Sequence, residues 1–124
     1  MIDKHKPGGE CTWSGCITSK AFIHKASEIH NVKKYVDFDY NTTEVMEYVQ
    51  KVISKVSSHE SVDVLSQTGI DFMNGEVRFK SKNVVEVNGE LITGKKIFIC
   101  TGSSPLIPLI SGLLDIEYLT NSSF

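Results

Sequence analysis

The stretch Gly8-Gly9-Glu10-Cys11-Thr12-Trp13-Ser14-Gly15-Cys16-Ile17-Thr18-Ser19-Lys20 decides how the rest of the chain is read. Its two cysteines stand five positions apart, a glycine pair opens it, a glycine precedes the second cysteine and a lysine follows. After Cys16 the apolar residues Ile17, Ala21, Phe22, Ile23, Ala26 and Ile29 recur at helical spacing, which predicts a helix from about residue 16 to about residue 34. Cys16 then stands at or near a helix N-terminus, where unsatisfied backbone N–H groups and the macrodipole favour a thiolate. The thiolate is the nucleophile and electron donor, so a cysteine in that position is primed to react. Lys20, about one turn on, adds positive charge to the same region, while Cys11 is expected in the preceding loop, where it feels the helix less. Spacing and surroundings together point to a redox dithiol. The rival readings are two unrelated buried cysteines and a C-x4-C zinc half-site. A zinc site needs two further ligands, and no second Cys/His pair has suitable spacing.

Outward from that stretch, residues 1–10 read as loop. In the first helix, which carries His24 and His30, Lys25, Lys33 and Lys34 form a solvated face. Residues 35–40 connect it to a second helix, for which Asn41-Thr42-Thr43-Glu44 supplies N-cap chemistry. Val45, Met46, Val49, Val52, Ile53 and Val56 give that helix an amphipathic stripe. A restart is expected near Ser61, with Val62 and Leu65 inward, and a stop at Gly69. The code then changes to short strands over residues 70–73, 76–80, 84–87, 91–92 and 96–100. Val77 and Phe79 alternate with Glu76, Arg78 and Lys80 as a half-buried strand would, and Asn88-Gly89 is a strong hairpin signal. Lys96-Ile97-Phe98-Ile99-Cys100 has the character of a central buried strand, with Cys100 an inert small hydrophobe. It leads into the turn Thr101-Gly102-Ser103-Ser104-Pro105 and an irregular tail over 105–124.

With 124 residues the chain holds one domain at most. The expected organisation is a redox stretch with helices over about 8–69, strands over about 70–104, and the tail. The fold class is α/β, in this chain α+β. A hydrophobic content of 40% and a formal net charge of −2 suit a soluble globular protein and exclude a basic nucleic-acid surface. No apolar run approaches the roughly 20 residues of a membrane span, and the polar start Met1-Ile2-Asp3-Lys4-His5-Lys6 is no signal peptide. The expected location is therefore cytoplasmic, with no nucleic-acid or membrane partner. Three cysteines in such a chain argue for redox chemistry rather than a disulfide framework.

The opening stretch resembles the redox-active motif G-G-x-C-x4-C-x-P-S-K of the FAD-dependent pyridine nucleotide–disulfide oxidoreductases. Its wording around Gly9-Glu10-Cys11-Thr12-Trp13 is most similar to the mercuric-reductase-like branch. Thr18 stands where that family usually has proline, which removes a rigid φ from the first helical turn. Three later runs follow the family's order of motifs: Gly75-Glu76-Val77-Arg78-Phe79, Val85-Glu86-Val87-Asn88-Gly89, and Ile99-Cys100-Thr101-Gly102-Ser103-Ser104-Pro105. The last usually reads A-T-G-S-x-P, and Cys100 takes the alanine position. The resemblance runs from about residue 8 to about residue 120.

The resemblance implies a partial FAD-binding domain in which Cys11 exchanges with the substrate and Cys16 faces the flavin. It puts Lys20 beside the flavin ring, the backbone of Gly9 and Glu10 along the flavin cavity, and Gly75, Thr101, Gly102 and Ser103 against the adenosine half. Trp13 either packs near the flavin or covers the loop. Electrons would pass from NAD(P)H through FAD to a Cys11–Cys16 disulfide, then to a disulfide or mercuric-ion acceptor. The family's members are homodimers, and the second helix corresponds to a region of their dimer contact, so exposed apolar surface and oligomers are expected. The chain contains no G-x-G-x-x-G. It is accordingly expected to be a truncated internal slice, doubtful as an independent catalyst, with a non-catalytic remnant or interaction fragment as the alternative.

Overall fold

A computed structural model describes residues 1–123. In chain order the elements are β1 (Ile2–Asp3), α1 (Gly9–Trp13), α2 (Cys16–Lys33), α3 (Thr42–Ser57), a 3-10 turn (Ser58–Glu60) and α4 (Val62–Gln67). There follow β2 (Met73–Asn74), β3 (Val77–Ser81), β4 (Val84–Val87), β5 (Glu90–Thr93) and a second 3-10 turn (Leu113–Asp115). The α+β composition is the expected one. Two compact units share these elements: residues 1–9 with 55–101, and residues 10–54 with 102–123.

The helical unit is built on α2 and α3. Each starts as the sequence dictates. Cys16 is the first residue of α2, and the Asn41 carboxamide oxygen accepts the Thr43 N–H at 2.9 Å at the start of α3. The predicted stripe supplies the core: Val49 and Ile53 are buried against Ala21, with Trp13, Ile17, Phe22, Tyr48 and Val52 packed around them. Burying a branched side chain of that size contributes about 2 kcal/mol. The opposing pattern on α2 is weaker than expected, since Ile23 is 66% exposed and Thr18 takes a buried place instead. Lys25 is not simply solvated either. It is half-buried, pairs with Glu28 at 3.0 Å and lies over the Tyr48 ring.

In the other unit, the Ser61 hydroxyl caps α4 by accepting the Val64 N–H. The helix ends in a Schellman turn, with the Gly69 N–H bonded to Ser66 O, the Ile70 N–H to Leu65 O and Gly69 at φ +81°. Strands β3, β4 and β5 form an antiparallel sheet in that order. The β4–β5 hairpin turns at Asn88-Gly89, both with positive φ (51° and 86°), as two-residue hairpins require. Val85 and Val87 of β4 are buried, and Lys80 pairs with Glu86 across the strands. A two-residue parallel pair, Ile2 with Met73 and Asp3 with Asn74, joins β1 to β2.

Three expectations are corrected. Residues 1–10 are not all loop, because β1 and the start of α1 lie there. β3 is exposed along its length, so the alternation of Val77 and Phe79 marks no buried face. Residues 97–100 form no strand: Phe98 is 85% exposed and Cys100 is exposed. A buried strand needs paired edges and covered faces, and among the described residues neither is supplied to this apolar run. Cys100 is thus no buried hydrophobe.

Candidate functional site

Cys11 lies not in a loop but in the one-turn helix α1, and two residues, Ser14 and Gly15, separate that helix from α2. The junction is tight. The Ser14 N–H donates to Glu10 O at 3.0 Å, and both the N–H and the hydroxyl of Ser19 donate to Gly15 O. A Cβ on Gly15 would stand 2.8 Å from Glu10 O and 3.4 Å from the Cys11 Cα, so only glycine allows α1 to sit this close to the start of α2. Thr18 completes the junction, its hydroxyl donating to Trp13 O at 3.2 Å. Thr12, in the same turn as Cys11, is buried.

This folding brings the two thiols into hydrogen-bond contact, both exposed to solvent. The Cys11 thiol is pushed above its ordinary pKa, first by the hydrogen bond to the Cys16 side chain, then by partial desolvation and by repulsion from charge on Cys16. The Cys16 backbone N–H, donated from the first residue of α2, and the positive charge of Lys20 pull the other way without reversing the shift. The start of α2 therefore acts on Cys11 as well as on the cysteine that opens it. Sequence spacing gave no sign of this, since it depends on α1 folding back over the helix start. Two exposed sulfurs in contact, with a helix start and a lysine beside them, can exchange between dithiol and disulfide.

The remaining candidates divide between the two units. Glu10 is exposed, and its carboxylate accepts the Asn121 side-chain N–H at 2.7 Å. Gly9, at φ +60°, opens α1. Gly75 belongs to the strand-rich unit, where the hairpin closes over it: a Cβ would meet Val87 Cγ1 at 2.6 Å and the Asn88 carboxamide at 2.7 Å. Close packing alone thus accounts for glycine at that position. Thr101, Gly102 and Ser103 lie in exposed coil, with Gly102 at φ +70°. The junction residues Gly15 and Thr18 are the functional positions that the sequence pattern left without a role. A glycine just before the second cysteine was the available signal for the first of them. Among the described residues no group of three or more His, Cys, Asp or Glu side chains could hold a metal ion.

The model of the pyridine nucleotide-disulphide oxidoreductase family matches residues 1–123. The chain belongs to this family. Among its relatives, the mercuric reductase of Lysinibacillus sphaericus is 31% identical over 130 residues, covering 99% of this chain and 24% of that protein. The dihydrolipoyl dehydrogenase of Acholeplasma laidlawii is 36% identical over 122 residues, covering 93% and 36%. Among solved structures, the HOCl-induced flavoprotein disulfide reductase of Escherichia coli, in a Cu(II) complex, superposes with a TM-score of 0.68 at 25% identity. That match covers 92% of this chain and 24% of the other. The chain thus spans about a quarter to a third of the length of these family members. No helix among its described residues is long and apolar enough to cross a membrane.

Proposed function

We propose that this chain carries the redox dithiol of a flavin-dependent oxidoreductase, in which Cys11 and Cys16 cycle between dithiol and disulfide. The observation that carries the reading is the contact of the two exposed thiols at the start of α2. Cys11 is the thiol that exchanges with the acceptor, and Cys16, fixed by the helix, is the partner that faces the cofactor. The names of the relatives support a disulfide or a mercuric ion as acceptor and NAD(P)H as the source of electrons. A reducing, cytoplasmic compartment suits a dithiol with a third exposed cysteine.

FAD is the cofactor this reading implies, and when bound it supplies two-electron transfer to the cysteine pair. Cys16 and Lys20 fit its ring end: both are exposed, one helical turn apart, and offer a thiol and a cation to a planar acceptor. Gly9 and Glu10 would line the same end, and Gly75, Thr101, Gly102 and Ser103 would meet the adenosine end. For the pyrophosphate the sequence holds no G-x-G-x-x-G turn to present backbone N–H groups.

Counting free thiols tests the dithiol directly. The reduced protein has three cysteines. Mild oxidation should leave one of them reactive, and dithiothreitol should restore all of them. Cys11→Ser and Cys16→Ser should each abolish this reversible loss. Survival of the loss in either variant would refute the pairing.

A further inference from the structure

Trp13 is the last residue of α1, so its carbonyl is one of the acceptors that a helix C-terminus leaves without an intrahelical partner. Thr18, the third residue of α2 and only 4% exposed, donates its hydroxyl to that carbonyl at 3.2 Å. This bond spans Ser14 and Gly15, and so ties the helix that carries Cys11 to the first turn of the helix that Cys16 opens. On the same junction Gly15 leaves no room for a Cβ, which keeps the two backbones close but does not lock them. The lock is the hydroxyl. Proline, the usual residue at this position in the family, restrains φ but has no hydroxyl to donate.

We infer that Thr18 is a positioning residue for the dithiol, its hydroxyl holding α1 against α2 and thereby setting how readily Cys11 and Cys16 close into a disulfide. The inference rests on the dithiol reading above. A disulfide forms only within narrow limits of separation and torsion. Two thiols already held in contact lose less freedom on closing, as reacting groups do when fixed in the productive geometry. Releasing the tie leaves that freedom to be lost at closure, so the disulfide becomes the less favoured form.

Exchange with dithiothreitol measures this. The Cys11–Cys16 S–S bond breaks, and the reagent closes its own ring disulfide. Two electrons and two protons pass from the reagent to the protein. The full chain carrying Cys100→Ser would be equilibrated across a series of reduced-to-oxidised dithiothreitol ratios, with Thr18→Val, Thr18→Ala and Thr18→Ser compared. Loss of one neutral hydrogen bond should shift the equilibrium about fivefold toward the dithiol in the valine and alanine variants. For this two-electron couple that is about 20 mV more oxidising. Serine, which keeps the hydroxyl, should stay within about twofold of threonine.

If valine fails to fold by circular dichroism, alanine against serine carries the comparison. Thr18 is merely structural, and the inference wrong, if the alanine variant lowers the urea midpoint of the reduced protein but leaves the exchange constant unchanged. A serine variant that shifts as far as alanine also overturns it, because the hydroxyl is then not the cause. If the protein with Thr18 forms no Cys11–Cys16 disulfide at any ratio, the dithiol reading itself falls and takes the inference with it.

Discussion

At the scale of single residues, the chemistry is concentrated in the contact between Cys11 and Cys16. Cys11 is the thiol whose pKa is raised, and the leading cause is its hydrogen bond to the Cys16 side chain. A raised pKa means less thiolate at a given pH and slower alkylation. Removing the cause should reverse the sign: in Cys16→Ala the pH midpoint for alkylation of Cys11 should move down, followed by peptide mass spectrometry across a pH series. Movement upward would mean that the helix-start N–H and Lys20, not the neighbouring thiol, dominate at Cys11. The side chains of the dithiol could be picked out from sequence because cysteine and lysine announce their chemistry at fixed spacing. Thr18 announced nothing, since a hydroxyl acquires its role only from the carbonyl that the fold brings to it.

At the scale of elements, what was legible had a local cause. The start of α2, the Asn41 cap, the Ser61 cap, the stop at Gly69 and the Asn88-Gly89 hairpin each follow from a few neighbouring residues, and each is present. The misreadings share the opposite property. β3 and residues 97–100 have the composition of covered strands, but cover is supplied by distant residues, and periodicity cannot say whether they are in place. Cys11 was misplaced in a loop because a single turn of helix is too short to show a period. The α3 stripe allows a quantitative check. Ile53 is 4% exposed in the core and Met46 is 38% exposed. Ile53→Ala should cost about 2–3 kcal/mol in urea unfolding, and Met46→Ala no more than about 0.5 kcal/mol. Equal losses would mean that the stripe is not packed as described.

At the scale of the whole molecule, each of the two units has a modest core and a large share of exposed apolar residues. Phe98 and Ile99 stand out in one unit, and Leu106, Leu109, Ile110, Leu114, Ile116 and Leu119 in the other. Surface of this kind marks places where other protein surface or a ligand is accommodated, and association of the chain with copies of itself is one way to cover it. Cofactor affinity is the other property of the whole. Without a glycine-rich helix start to receive the pyrophosphate, the 124-residue chain should bind FAD more weakly than about 1 μM by fluorescence titration. A tighter stoichiometric complex would mean that the coil around Gly102 or some other backbone segment receives the pyrophosphate instead. The central claim, that Cys11 and Cys16 form one redox couple, is tested most directly by peptide mapping. The oxidised protein would be alkylated, digested without reduction and examined by mass spectrometry. A single linked species joining Cys11 to Cys16, with Cys100 alkylated, is the predicted result. A dominant species linking Cys100 to either of the others would contradict it.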